Sequence, residues 1–320
     1  MIRVTKQGHK PLAPENGALV DGAAHDLTAH YYTLAGQNIV FETEVNALQA
    51  FSDGVGSESY SEILVELAAR MPVDEVQGKL TYEGSAPFAD VVRNVKCWEC
   101  DHLIRIDVDD TSICLVDVDN HHIHVLNEES FDQALNLQVV TGPALIILLA
   151  TKGIYCLHAS SIGTQFGNIA FIAESGVGKS TLGAHIDSNW QQLADDILPL
   201  HQRGDHYQMF DYPQLKLPRN ATELPQPRNS MLDLIIRLSN EESQEMEFTR
   251  LPRTEGLIEI VRHTVAAKLF DNALMIEHVR FAKFLSGEVP VVELKYPRNL
   301  ERLNHLRFAI FKYLRNHDFD

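Results

Sequence analysis

The stretch Asn168–Ile186, "NIAFIAESGVGKSTLGAHI", decides how the chain is read. An apolar run, "NIAFIA", suits a strand buried on both faces. It feeds the loop "AESGVGKST", which opens a helix. The phosphate-loop pattern is G-x-x-x-x-G-K-[ST]. Gly178, Lys179 and Ser180 satisfy it, and Ala173 stands where the first glycine is usual. Ala173 is tolerable there if its φ is negative. Gly176 and Gly178 let backbone N–H groups approach phosphate oxygens closely. The helix N-terminus adds the positive end of a dipole. Lys179 can neutralise β- and γ-phosphates, and the Ser180 hydroxyl can bind Mg²⁺. The expected nucleotide cradle is therefore Glu174, Ser175, Gly176, Val177, Gly178, Lys179, Ser180 and Thr181, with ATP and Mg²⁺ as its cargo.

The loop alone does not separate kinases from ATPases, GTPases or nucleotide-binding regulators. The next acidic motif narrows the choice. "QLADDILPL" reads as a return strand carrying Asp195 and Asp196, 16 and 17 positions after Lys179. That spacing leaves room for one helix and would bring both carboxylates back to the phosphates. One can serve Mg²⁺, and the other can accept a proton from an attacking hydroxyl. Adjacent strand residues face opposite ways, so the two need not share a role. No guanine-nucleotide N-K-x-D motif and no L-S-G-G-Q transporter signature is found in the expected places.

Around this core, 320 residues suggest two domains at about 150 residues each. With 45% hydrophobic and 22% charged residues the chain is an ordinary globular one. A net charge of −17 disfavours nucleic acid and anionic membrane surfaces as main partners. The N-terminus lacks the apolar segment of a targeting signal. The run 134–151, "ALNLQVVTGPALIILLAT", has an apolar part about half the ~20 residues that span a bilayer. Four cysteines are too few for a disulfide framework, which points to a reducing, cytoplasmic compartment.

Residues 1–138 read as a smaller mixed α/β domain and 139–320 as the ATP-binding domain. The first 25 residues read as a loose arm. Strands are expected at "AHYYTLAG", "NIVFETE", "KLTYEG", "HLIRIDV", "SICLVDV" and "HIHVL". Tyr60, Ile63, Leu64, Leu67 and Ala68 recur at helical spacing and predict an amphipathic helix over 59–71. A helix is expected near 129–136 and a buried one at "GPALIILLATKG", closed by Gly153. Farther on, strands are expected at "IYCLHASSI", "YQMF", "MLDLIIRL" and "VVELKY", with helices at 253–264, 271–285 and 298–316.

Three blocks, "LHASSI" with His158, "AESGVGKSTL" and "LADDILPL", resemble in sequence and order the HPr kinase/phosphorylase family. "LATKGIYCLHASSI" looks like the HPr-kinase-related serine kinases of bacteria, including those acting on lasso-peptide precursors. The resemblance covers about 40 residues strongly. It implies a phosphoenolpyruvate-carboxykinase-like P-loop kinase domain, α/β in class, that transfers phosphate from ATP to a serine hydroxyl. The acceptor would be a peptide, a protein or a small molecule, and a homo-oligomer would fit the family. By this resemblance Asp196 would be the base, Asp195 would support the metal, and His158 would stand near the phosphates. The N-terminal half does not match that of HPr kinase, so a seryl substrate other than HPr is expected. The alternatives are a non-catalytic ATP-binding regulatory module and a kinase for a small molecule such as free serine.

Four weaker features remain. Lys216 and Arg253 are candidate phosphate or substrate contacts. "CWEC" sets Cys97 and Cys100 at C-x-x-C spacing, and "NHHIH" sets His122 and His124 on one strand face. Together they could hold zinc only if the two pairs meet in space. "DVDD" and "DVDN" lack the glycine and distal glutamate of a calcium loop and read as turns.

Overall fold

A computed structural model of the protein describes residues 29–52, 62–68, 78–88, 91–126, 134–174, 176–179, 182, 190–213, 230–297 and 303–316. Its first part is an eight-stranded mixed sheet. The strands are β1 (His30–Leu34), β2 (Gln37–Phe41), β3 (Ile63–Leu67), β4 (Lys79–Phe88), β5 (Val91–Cys100), β6 (Leu103–Val108), β7 (Thr111–Asp117) and β8 (His122–Val125). Their order is β1-β2-β3-β8-β7-β6-β5-β4. β2, β3 and β8 run parallel, and the remaining neighbours are antiparallel. Asp109 and Asp110 both have positive φ and close a two-residue hairpin between β6 and β7. "DVDD" is thus the turn its composition suggests.

The helix expected over 59–71 is not formed where it can be seen. Ile63–Leu67 is strand β3, and residues 59–61 and 69–71 lie outside the described residues. Ile63 and Val65 are buried, while Leu64 between them is 41% exposed. The pattern is period 2, and parallel pairing with both β2 and β8 satisfies the backbone of so short a segment. Among the described residues this part carries strands and a single 3-10 turn, Asn46–Phe51, and is more β-rich than its sequence implies.

The chain then crosses in a helical segment, α1 (Ala134–Val139), a wide turn at Val140–Ala144, and α2 (Leu145–Thr151). Gly142 departs from helical geometry, and Pro143 cannot donate a backbone hydrogen bond, so the kink has a local cause. Residues Leu145 to Ala150 are all buried. The whole span Ala134–Thr151 is the one helical segment among the described residues long and apolar enough to cross a membrane, by length and composition, and 72% of it is buried inside the protein. It packs on the eight-stranded sheet in a core that also takes in Ile154, Cys156, Ile197 and Tyr212.

Beyond it come β9 (Ile154–Leu157), β10 (Ala159–Thr164), β11 (Gly167–Ile172), β12 (Gln191–Ala194), β13 (Leu198–Arg203), β14 (His206–Met209), β15 (Leu234–Glu242), β16 (Glu247–Arg250) and β17 (Val291–Tyr296). They form a six-stranded sheet, β12-β10-β11-β15-β17-β16, and a three-stranded one, β14-β13-β9. In the larger sheet β11, β15 and β17 are parallel. The helices are α3 (Arg253–Arg262), α4 (Asn272–Glu288) and α5 (Leu303–Asn316). Asp271 caps α4 by accepting the Leu274 N–H at 2.7 Å.

Strand β11 is buried on both faces, as its unbroken apolar run requires. Ile169 and Phe171 pack with Leu306, Ile310 and Leu314 of α5. Ala170 and Ile172 pack with Ile260 of α3 and with Ala282 and Leu285 of α4. Each large apolar side chain so buried contributes roughly 1.5–3 kcal/mol. The fold is mixed α/β, and the layered centre fixes where β11 ends and its loop begins.

Candidate active site

The loop after β11 leaves the sheet at the carboxyl ends of three parallel strands, the usual place for a ligand crevice in open α/β sheets. Ala173 is buried and is not among the residues with positive φ, so it stands in for glycine without strain. Gly176 and Gly178 have φ of +83° and +112°, values that favour glycine. A Cβ added at Gly176 would meet nothing within 4 Å, so the backbone there faces open space. The Leu182 N–H donates to the Gly178 carbonyl at 3.0 Å, which is the first turn of the expected helix. Ser175, Ser180 and Thr181 lie outside the described residues.

Neighbouring strand ends hold the loop. The Tyr296 hydroxyl, at the end of β17, donates to the Val177 carbonyl at 3.2 Å. Asn240 of β15 donates from its amide to Glu174 Oε2 at 2.8 Å. Lys179 is 7% exposed, and its amine curls back to donate to the Ala173 carbonyl at 2.6 Å. A longer contact reaches the Glu174 carbonyl at 3.5 Å. The amine is thus held by backbone carbonyls at the start of its own loop.

The acidic pair is placed differently from expectation. "QLADDILPL" is not one strand: β12 ends at Ala194 and β13 starts at Leu198 in another sheet. Asp195 and Asp196 occupy the break. Their different environments therefore come from a chain that changes sheets, not from strand alternation. Asp195 is buried, and Asp196 is partly exposed. "IYCLHASSI" breaks in the same way, with His158 between β9 and β10. β10 and β12 are antiparallel, with Ser161 opposite Ala194. Continuing that register carries His158 back to the acidic pair. Its Nε2 lies 3.3 Å from Asp196 Oδ1. The His158 N–H donates to the His263 carbonyl at 2.7 Å, tying the break to the end of α3.

A further group at the end of α3 is not evident in the sequence. His263 is 7% exposed, and its imidazole is pushed down to about 4, first by burial and then by the positive charges of Lys179 and His158. Its Nε2 lies 3.5 Å from Glu259 Oε2. Glu259 also takes Arg237 Nε at 3.3 Å and Arg262 at 2.9 Å. Arg237 pairs in addition with Glu293, its register partner on β17. Arg237 interrupts the apolar run of β15, between Ile236 and Leu238, and lies opposite Ile172 at the start of the loop.

Among the remaining candidates, Arg253 is exposed at the start of α3, roughly 15 Å along the axis from His263, and is not brought to this cluster. Lys216 lies outside the described residues. The cysteines are free, buried thiols, and Cys97 is pushed up to about 12 by burial. No cysteine joins His122 and His124 among the described residues; the third member of their group is Glu66.

No family model matches the chain, and no curated protein matches it. A solved structure, the HPr(Ser) kinase/phosphatase from Coxiella burnetii, is similar at 15% sequence identity and a TM-score of 0.30, over 51% of this chain and 95% of that one.

Proposed function

We propose that the protein is an ATP- and Mg²⁺-dependent kinase that phosphorylates a serine hydroxyl on a peptide, a protein or a small molecule. The observation that carries this reading is the meeting of a glycine-built loop and its lysine with the His158–Asp196 pair at one end of the six-stranded sheet. The His263 imidazole joins them, since it feels both Lys179 and His158. Residues 139–320 would carry this apparatus.

The residues suit such a ligand. Gly176 opens its backbone to space, and oxygen donors such as Asp195 and Asp196 suit a hard divalent cation. Mg²⁺, when bound, would lower the negative charge of the phosphates, and Ser180 and Asp195 would hold it. Lys179 would leave the Ala173 carbonyl and turn its ammonium to the β- and γ-phosphates. Asp196 would accept the seryl proton on a carboxylate oxygen. His158, fixed by its backbone bond to His263, would keep that carboxylate oriented. Buried His263 stays neutral and so adds no charge beside Lys179.

Calorimetric titration of MgATP tests the binding half of this reading. Wild type should bind one equivalent, and Lys179→Ala should bind at least tenfold more weakly. Equal binding by both would count against the loop. Tight binding without transfer to any hydroxyl would favour a nucleotide-responsive regulatory module instead.

A further inference from the structure

The eight-stranded sheet carries a second cluster of polar side chains. Strands β3 and β8 are parallel, with Glu66 opposite His124 and Leu64 opposite His122. Side chains alternate along a strand, so His122 and His124 share one face while Ile123 and Val125 enter the core. Val65 likewise turns inward and leaves Glu66 on the histidine face. His124 Nδ1 lies 2.6 Å from Glu66 Oε1, and His122 Nε2 lies 3.4 Å from Glu66 Oε2. The two rings lie 4.0 Å apart, centroid to centroid. One ligand atom from each residue falls within 4.8 Å of the others.

We infer that Glu66, His122 and His124 form a binding site for a divalent transition metal of the zinc class. Two imidazoles and a carboxylate are the donor set that borderline ions of this class prefer. Four donors around such an ion, each about 2.0–2.1 Å away, stand about 3.3 Å from one another. His122 Nε2 and Glu66 Oε2, at 3.4 Å, already stand at that spacing, while His124 Nδ1 and Glu66 Oε1, at 2.6 Å, would have to part slightly. His122 Nε2 is shielded from solvent and makes no hydrogen bond, an atom left for a ligand to satisfy. Beside the cluster is a cavity of about 170 Å³ lined in part by Glu42, Leu64, Glu66 and His122. It has room for water in the fourth position.

The location gives the ion a task. β3 and β8 are the junction between β1-β2-β3 and the antiparallel run β8 to β4. A metal held by Glu66 on one side and both histidines on the other would clip the two halves of the sheet together.

The test is a titration of the chelator-treated full chain with ZnCl₂ and with CoCl₂. The expected result is one equivalent bound at micromolar affinity or tighter, visible Co²⁺ bands of low coordination number, and a higher Tm with zinc. His122→Ala and His124→Ala should each weaken binding roughly tenfold or more. No saturable binding at micromolar zinc would overturn the inference. So would unchanged affinity in the His122→Ala/His124→Ala double variant with a wild-type circular dichroism spectrum. If the variants do not fold, X-ray absorption on zinc-loaded wild type decides: two imidazoles with oxygen support the site, and sulfur in the shell overturns it.

Discussion

His158 and Asp196 meet at 3.3 Å because two strand breaks, one after β9 and one after β12, fall beside each other where β10 and β12 pair. If Asp196 is the base, its replacement should remove turnover and spare nucleotide binding. General bases contribute about 10²–10⁴-fold. Asp196→Asn should therefore lose at least about a hundredfold in transfer rate with unchanged MgATP affinity. His158→Ala should lose less, because it orients the carboxylate. Single-turnover rates beside calorimetric affinities check both.

The two loop glycines should differ. Gly178 has φ of +112°, and a Cβ there would meet the Tyr296 hydroxyl at 3.3 Å. Gly176 has φ of +83° and open space. Gly178→Ala should cost about 1–3 kcal/mol of stability, and Gly176→Ala should cost less. Both should weaken MgATP binding, since each bends backbone N–H groups away. Denaturant melts with and without nucleotide separate the two effects.

Glu259 is 8% exposed and faces Arg237, Arg262 and His263. Glu259→Gln keeps the shape and removes the charge. Arg237 retains Glu293, which limits the damage. The expected loss is about 1–3 kcal/mol, read as a lower denaturant midpoint with unchanged slope.

Stability should fall on acidification from about pH 6.5 to about pH 4. His263 and His278 are each pushed down from 6.5 to about 4, chiefly by burial. Within that window the unfolded chain binds more protons, so folding weakens as pH drops, by up to about 3 kcal/mol for each histidine. Asp211, raised to about 6 by burial, acts the other way, and so does Asp233, which burial also raises. Their stability is present at low pH and is lost as pH rises through their folded values. His121 and His201, also pushed down by burial, act with His263 and His278, so the net slope is positive. His278→Gln should flatten it, and melts across pH 4–7 check the sign.

The loop and its strand were legible because local pattern decides them. A six-residue apolar run that feeds a glycine-rich loop suits a buried strand, and two glycines before a lysine permit only a few backbone paths. Ile63, Leu64 and Leu67 show where this stops: their spacing fits a helix, yet β2 and β8 recruit the segment as a strand. The breaks at His158 and at Asp195–Asp196 depend on chain segments that change sheets, which no short window reveals. Glu259 and His263 join the site only through the packing of α3 on β15 and β17, and surface helix residues look alike in sequence wherever they pack.

Transfer from γ-labelled ATP to serine tests the central claim most directly. Wild type, Lys179→Ala and Asp196→Asn would be incubated with host lysate and a serine-containing peptide library, with MgATP binding measured on the same samples. The account predicts phosphoserine with wild type alone, loss of binding in Lys179→Ala, and retained binding without transfer in Asp196→Asn. Labelling by Asp196→Asn at the wild-type rate, or a wild type that binds no ATP, would contradict it.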